Sequence, residues 1–322
     1  MGRRCPFRPV RSGPWSRITG SPYAAVTAVG ECGTLDGAMH RLGDFELHAL
    51  SDGFFKLDGG AMFGIVPKPA WEKVARPDVR NRITLSLTTL LIRTGSKNVL
   101  VDTGIGDKNG AKFDETYGVD HVRTVRQGLE EAGLGPGDVD FVVLSHLHFD
   151  HAGGATVRRG DRLEPAFPKA TYVIQEGMWD EALDPNPRTK GSYFRDDFVP
   201  LKEQGRVKFV RGEEEIAPGV RVRRTGGHVK HHQVVEAQSG GRKAVYWADL
   251  VPTTHHLKPA WVMGYDLYPH EVAAQKAELL DRAAAERWVN VFEHDPEIAM
   301  AYIVKEEKGF RAEPIERVPA PR

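Results

Sequence analysis

The sequence has few cysteines, no net charge and no long apolar run. Both cysteines, Cys5 and Cys32, lie near the start of the 322-residue chain, which excludes a disulfide framework or a thiolate zinc site elsewhere. Lys plus Arg and Asp plus Glu number 44 each, so neither nucleic acid nor an anionic membrane is an expected partner. The longest uncharged stretch, residues 18–30, is too short for a bilayer, which needs about 20 residues. Any metal must be held by histidine and carboxylate.

The first 38 residues differ in composition from the rest. They contain five arginines against two acids and are rich in glycine and proline, with no sustained periodicity. We predict a disordered or non-native N-terminal extension over residues 1–38, Met39 being an alternative start, and one folded domain over residues 39–322. Arg3-Arg4 is similar to a twin-arginine export signal, but Pro9 and Arg11 interrupt the apolar stretch that should follow. A cytoplasmic location is therefore predicted, with export left open as the alternative.

After Met39 the chain alternates between strand and helix patterns, which predicts the α/β class. Runs rich in β-branched and aromatic residues predict strands over residues 83–93, 98–103, 140–145, 171–175, 220–225, 233–237, 243–248 and 288–292. Apolar residues at helical spacing predict helices over residues 119–132 and 270–287. Eight strands make one large sheet or two smaller ones.

The segment FVVLSHLHFDHAGG, residues 141–154, is the most informative part of the chain. An apolar strand leads directly into His146 and His148, which project to one side, and the following turn brings Asp150 and His151 round. A single histidine is more often a core or surface residue than a ligand. Four metal-ligating side chains within six residues favour a metal site instead.

Three later side chains repeat this pattern of a strand followed by a ligand. His228 follows VRVRRTGG, Asp249 ends KAVYWAD, and His294 follows WVNVFE. The repetition suggests that the strand ends open on the same edge of the sheet, where α/β folds commonly bind ligands. A metal-binding cleft on that edge is predicted.

The complete pattern, His-x-His-x-Asp-His followed by distant Gly-His, Asp and His, resembles the metallo-β-lactamase-fold hydrolases over residues 39 to about 310. The resemblance implies a four-layer αββα sandwich with two metals between its inner sheets. It also implies that His146, His148 and His228 bind one metal, that Asp150, His151 and His294 bind the other, and that Asp249 bridges both. Asp102 matches an aspartate that usually supports the site from behind the ligands.

The donor set suits two borderline divalent ions. Zinc is the first expectation, and iron, manganese, cobalt or nickel fit the same ligands. His148 stands where the di-iron flavoprotein branch has glutamate, and no flavin domain is present, which disfavours redox chemistry. Asp249 and His294 resemble the lactonase, phosphotriesterase, glyoxalase II and ribonuclease Z branches more than true β-lactamases.

Residues 248–266 and 59–68 resemble quorum-quenching lactonases and their methyl-parathion-hydrolase-like relatives. The resemblance implies opening of N-acyl-homoserine-lactone-like rings by a hydroxide that bridges the metals, with Asp150 delivering a proton and Asp249 as the other catalytic residue. Two departures are Pro252, where some lactonases carry tyrosine, and TGGHVKHHQ in place of TPGHTPGH. A phosphotriesterase, a glyoxalase II-type thioesterase and a non-catalytic module remain alternatives.

A small lactone or ester is thus the predicted partner, and a homodimer is an open possibility. Met62-Phe63 and residues 261–265 are candidate walls of an acyl-chain pocket, within a wider apolar set of Phe63, Trp71, Trp179, Tyr193, Phe194, Trp261, Met263 and Tyr265. His255 and His256 are interpreted as cleft residues or solvated loop residues. Glu213–Glu215 are interpreted as a solvated charge run.

Overall fold

The computed structural model describes residues 39–318, so the extension predicted over residues 1–38 lies outside the described residues. The strands are β1 Met39–Leu42, β2 Phe45–Asp58, β3 Arg82–Arg93, β4 Asn98–Val101, β5 Phe141–Val143, β6 Thr156–Arg159, β7 Arg162–Pro165, β8 Thr171–Gln175, β9 Val207–Val210, β10 Glu213–Ala217, β11 Val220–Arg224, β12 Gln233–Ser239, β13 Arg242–Tyr246, β14 Val289–Val291, β15 Ile298–Glu306 and β16 Gly309–Arg317. The α-helices are α1 Gly59–Phe63, α2 Lys68–Trp71, α3 Ala111–Tyr117, α4 Val125–Glu131, α5 Phe149–Ala152, α6 Glu176–Leu183, α7 Arg195–Glu203 and α8 Pro269–Ala285. Short 3-10 helices cover Pro136–Asp138, Gly153–Ala155, Ala248–Leu250 and Thr254–Leu257.

Two seven-stranded sheets divide the described chain between its halves. The first has the order β1-β2-β3-β4-β5-β8-β9 and the second the order β10-β11-β12-β13-β14-β15-β16, while β6 and β7 form a small hairpin. In the first sheet β4, β5, β8 and β9 run parallel, so helices must cross over between them. In the second, α8 makes the crossover between the parallel strands β13 and β14.

The main core lies between the two sheets. Leu47, Val101 and Val143 of the first sheet pack with Val222 and Val291 of the second in one buried cluster. Residues of α4, α6 and α7 cover the outer face of the first sheet, and residues of α8 cover that of the second. The layers therefore follow the order αββα, and the predicted fold class is confirmed.

Strand character follows burial. The middle of β3 is buried almost without interruption, as its run of leucine, threonine and isoleucine requires for a strand with both faces covered. The long strand β2 was not predicted, because a register shift between Ser51 and Phe54 breaks its alternation. Gly53 has φ 88° there, and a Cβ at that position would collide with the Asp120 carbonyl.

All eight predicted strands are confirmed to within a few residues at each end. The helix predicted over residues 119–132 is wrong at its start, because Thr124 and Gln127 form a capping box that begins α4 at Val125. Glu213–Glu215 belong to the edge strand β10, where Glu213 and Glu215 are exposed. Among residues 39–318 there is no helix of the length and apolarity that a membrane crossing requires.

The sheet pairing explains why distant side chains meet. Strand β11 is antiparallel to β12, β12 is antiparallel to β13, and β13 is parallel to β14. Strands β11, β13 and β14 therefore point in one direction, and their carboxyl ends reach the same edge of the second sheet. His228, Asp249 and His294 follow those ends. The prediction that the strand ends share an edge is confirmed for these three strands, whereas β5, which leads into His146, belongs to the first sheet.

Candidate metal centre

The loop after β5 carries four of the predicted site residues. His148 precedes the single-turn helix α5, which turns Asp150 and His151 back toward His146. The loop lies close against the segment after β4, and a Cβ on Gly154 would collide with the Thr103 carbonyl. Glycine at this position therefore allows the contact that holds the loop in place.

The first donor cluster consists of His146, His148 and His228. Nδ1 of His148 lies 3.2 Å from Nε2 of His228. Nε2 of His228 is 3.0 Å, and Nε2 of His146 3.7 Å, from Oδ2 of Asp249. His146 and His228 are at most 1% exposed. Three imidazoles from two sheets thus converge on one carboxylate oxygen.

The second donor cluster consists of Asp150, His151 and His294. Nε2 of His294 lies 3.4 Å from Nε2 of His151 and 3.7 Å from Oδ2 of Asp150. The Asp249 side chain lies between the two clusters, because Oδ1 is 3.3 Å from His294 while Oδ2 is 3.5 Å from His151. Because Oδ2 is also 3.0 Å from Nε2 of His228, that oxygen faces both clusters, while Oδ1 faces the second.

A carboxylate holds the far nitrogen of His151. Oδ2 of Asp102 is 3.0 Å from Nδ1 of His151, and Asp102 also accepts hydrogen bonds from the backbone N–H and hydroxyl of Ser145, each at 2.6 Å. This bond keeps the proton on Nδ1 and turns the lone pair of Nε2 toward the cluster. Asp102 thus lies behind His151, where the resemblance suggested.

A second carboxylate at His151 was not predicted. Oε2 of Glu293 lies 2.8 Å from Nδ1 of His151, yet neither Glu293 oxygen is aligned for a hydrogen bond. Burial raises the pKa of Glu293 to about 8, against the opposing charge of His151. The sequence signal was an acid directly before His294 in a buried strand end.

The remaining backing contacts differ between the clusters. Oδ1 of Asp266 is 2.9 Å from Nδ1 of His228, and Asp266 was also not predicted. Nδ1 of His294 lies 2.9 Å from the Ser86 carbonyl of β3. Each contact directs Nε2 of its histidine into the centre.

The histidines of the centre fall into two groups by the direction in which their pKa values are shifted. Burial and neighbouring imidazolium charges hold the pKa of His146 and His148 well below the ordinary range. Burial also opposes protonation of His228 and His294, but Asp249 outweighs it and raises their pKa values to about 10 and about 9. Burial raises the pKa of Asp249, but the charges of His228 and His151 outweigh it and hold that pKa well below its ordinary value.

The donor set fits divalent metal ions. Nε2 of His146 and Oδ1 of Asp249 are buried without a hydrogen-bond partner, which is costly for polar atoms. The first cluster with Asp249, and the second cluster by itself, each offer ligand atoms within 4.8 Å of one another. Imidazole nitrogen and carboxylate oxygen are the ligands that zinc and its neighbours prefer. Cations placed among these atoms would satisfy the unpaired groups.

A cavity of about 140 Å³ opens onto the centre. Five donor side chains line it, namely His148, Asp150, His228, Asp249 and His294. Its other walls are largely apolar or aromatic, and include Leu57, Met62, Tyr117, Phe149, Met263 and Tyr265. A small molecule with an apolar part would therefore have its polar end at the donors.

The model of the metallo-beta-lactamase superfamily matches residues 85–294, more than half of the chain. The chain belongs to this superfamily. The N-acyl homoserine lactonase of Bacillus cereus is 27% identical over 176 residues, which cover 50% of this chain and 62% of that protein. The N-acyl homoserine lactonase of Agrobacterium fabrum is 36% identical over 70 residues, or 22% of this chain and 23% of that protein. The chain thus spans less than two thirds of the length of these curated relatives.

Two solved structures superpose over most of the chain. A probable metal-dependent hydrolase from Staphylococcus aureus has a TM-score of 0.80 and 32% identity, covering 87% of this chain and all of that one. A dizinc quorum-quenching lactonase in complex with a product has a TM-score of 0.71 at 21% identity, covering 88% of this chain and 98% of that one. The latter likeness concerns the fold.

The predicted pocket walls are placed correctly only in part. Met62, Met263 and Tyr265 line the cavity. Four other residues pack beside it in an apolar cluster, Phe63, Trp71, Phe194 and Trp261. The ring of buried Tyr193 lies 5.0 Å from that of His148, at a tilt of 49°. Trp179 belongs to the core under α6, where it contacts Phe198 and Phe209. The sequence missed Leu57, Tyr117 and Phe149, because an apolar or aromatic side chain by itself does not distinguish a cavity wall from the core.

The interpretation of His255 and His256 as cleft or solvated loop residues is wrong for His256. Its ring is buried and stacks on Phe63, its Nδ1 is 2.8 Å from the Thr253 hydroxyl, and its Nε2 is 2.9 Å from the Met62 carbonyl. It supports the cavity wall from behind.

The segment TGGHVKHHQ, which departs from the usual superfamily sequence, contains a second buried histidine. Nδ1 of His232 lies 2.7 Å from the Thr225 hydroxyl.

Proposed function

We propose that this chain is a dinuclear metal hydrolase that opens lactone rings of the N-acyl homoserine lactone type. The observation that carries the proposal is an apolar cavity that ends on a buried set of imidazoles and carboxylates. Relatives named N-acyl homoserine lactonase support the substrate class. A hydrolase of this kind needs water, a divalent metal and no other cofactor.

His146, His148 and His228 would hold one metal ion, and Asp150, His151 and His294 the other. Asp249 would be shared, since its carboxylate lies close to His228 of the first cluster and to His151 and His294 of the second. Two divalent ions at these residues would supply an activated water and polarise the substrate carbonyl. Zinc is the proposed metal, with iron, manganese, cobalt or nickel as alternatives that the same donors accept.

The chain's own groups orient the substrate and move its protons. The apolar walls at Leu57, Met62 and Met263 would hold the acyl chain and exclude water from it. Asp150 lines the cavity and would accept a proton from the attacking water. As the ring C–O bond breaks, Asp150 would return that proton to the departing oxygen. The product is the open-chain hydroxy acid.

Metal analysis paired with a substrate panel tests this function. We expect about two equivalents of divalent metal per chain and faster turnover of a hexanoyl or decanoyl homoserine lactone than of paraoxon or a thioester. Asp150→Asn should abolish most of that turnover, whereas the matched change Asp161→Asn, at an exposed turn between β6 and β7, should have no effect. Preference for paraoxon would assign a phosphotriesterase instead, and absence of bound metal would contradict both.

A further inference from the structure

Lys276 is a lysine in the apolar face of α8. It lies four residues after Val272 and four before Leu280, and all three side chains are buried. The residue is only 1% exposed, and its Nζ donates a hydrogen bond of 2.5 Å to the Trp261 carbonyl. Burial lowers the pKa of Lys276 to about 7, against the opposing charge of Asp266. Since an ammonium group is costly to bury, an apolar residue would suit the helix better.

Trp261 begins a segment that we call the wall segment, residues 261–266. The wall segment contributes Met263 and Tyr265 to the cavity but contains neither helix nor strand. Its position therefore depends on hydrogen bonds to groups elsewhere in the fold. A second cationic side chain, Arg188, donates a hydrogen bond of 2.5 Å from Nη2 to the Gly264 carbonyl. The segment is thus held by a buried cation at its start and an exposed one near its end.

The wall segment is also connected to the first donor cluster. Oδ2 of Asp266 accepts a hydrogen bond of 2.8 Å from the backbone N–H of Met263, while Oδ1 lies 2.9 Å from Nδ1 of His228. A displacement of the segment would move the cavity wall and rotate His228 together. Neither consequence requires Lys276 or Arg188 to touch the substrate.

We infer that Lys276 and Arg188 are positioning residues that hold the wall segment, and through it set both the cavity shape and the orientation of His228. This inference rests on the proposed function only in assigning metal and substrate to the cavity. A lysine retained for folding alone would stabilise the protein. A lysine that positions the wall segment can lower the stability of the protein and still be required for its activity.

Lys276→Met tests the inference, with Lys305→Met as the matched control because Lys305 is exposed on β15. We expect Lys276→Met to unfold at the same or a higher temperature than the wild type. The backbone amides of Met263 and Gly264 should exchange hydrogen faster. The affinity for one of the two zinc equivalents should fall about tenfold, as measured by chelator competition. KM for a decanoyl homoserine lactone should rise more than kcat falls.

Unchanged amide exchange and unchanged zinc affinity in Lys276→Met would overturn the inference. If that variant does not fold, Arg188→Met is the alternative test, because Arg188 is exposed and its replacement should not prevent folding. Arg188→Met should show the same faster hydrogen exchange at Met263 and Gly264. No change in Arg188→Met would equally overturn it. Amide exchange needs neither metal nor substrate, so failure of the proposed lactonase activity would be recognised separately.

Discussion

The two donor clusters share Asp249 but are supported by different kinds of structure. In the second cluster, His151 is backed by Asp102 at the end of β4, and His294 by the Ser86 carbonyl within β3. In the first, His228 is backed by Asp266, which belongs to the irregular wall segment. Strands fix the second cluster directly, whereas the first depends in part on a loop that also shapes the cavity.

Because of this difference, the shape of the cavity is coupled to the first cluster, whereas the second cluster does not depend on it. A loop tolerates changes of sequence that a central strand does not, so pocket shape can vary while His151 and His294 keep their geometry. The same loop, however, transmits its displacements to His228. We expect the first cluster to be the weaker metal site.

The largest effect should come from removing the side chain that both clusters share. Asp249→Asn keeps the shape but loses the charge that faces both sets of imidazoles, so both metal equivalents should be lost or weakened. Activity should fall by at least about 10³-fold, because the metals supply the nucleophile and the charge stabilisation. Metal analysis and lactone turnover measure this, with Asp161→Asn as the control. Full metal content with full turnover would disprove a shared role.

A pH series on Lys276→Met sharpens the comparison between the two clusters. Only the first cluster is backed by the wall segment, and Lys276 donates a hydrogen bond to that segment. Folding lowers its pKa from 10.5 to about 7, so between these pH values the unfolded chain binds the extra proton. The free energy of unfolding by which Lys276→Met exceeds the wild type should therefore shrink by about 4 kcal/mol from pH 7 to 10.5, since one pKa unit corresponds to about 1.4 kcal/mol and the other titrating groups are common to both proteins. Asp266 and His256 are the titratable groups whose charges interact with it.

Denaturant unfolding at pH 7 and pH 10 measures this slope. The wild type should approach Lys276→Met in free energy of unfolding as the pH rises, while Lys305→Met should follow the wild type. A constant difference between wild type and Lys276→Met across the series would contradict the assignment.

Asp102→Asn and Asp266→Asn should separate the clusters. Each change removes the carboxylate behind one histidine, and such backing groups typically contribute about 10- to 100-fold in metal affinity. Asp102 has φ 56°, a conformation that asparagine also tolerates, so its backbone should be preserved. Chelator competition should show one weakened equivalent in each variant. The dependence of KM on the acyl-chain length of the substrate should change only in Asp266→Asn. A change in both variants would contradict the proposed difference between the two clusters.

The smallest effect is expected at Glu293. His151 has one proton on Nδ1 and donates it to Asp102, while the nearby oxygens of Glu293 are not aligned to accept it. Glu293→Gln should therefore change metal affinity by less than about threefold, against the larger loss in Asp102→Asn. Equal losses in the two variants would show that the two carboxylates share the proton.

Much of the fold was predictable because its central strands are locally distinct. Runs such as residues 83–93 and 171–175 are rich in residues that favour strands, and the structure places strands there. Strand β16 was missed, since its charged and half-exposed residues give no clear alternation, and β15 was missed because alanine and methionine, which do not favour strands, make up most of its first half. Trp179 was among the wider set of pocket candidates but belongs to the core, because an aromatic side chain by itself does not distinguish cavity from core.

The sequence by itself determined the four donors of the loop after β5. His146, His148, Asp150 and His151 are close along the chain, and short-range geometry brings such neighbours together whatever surrounds them. Only the tertiary structure decided what stands behind those donors. Asp266, Glu293 and Lys276 are ordinary charged residues in the sequence, and their roles arise from contacts between segments far apart in the chain, which local patterns do not encode.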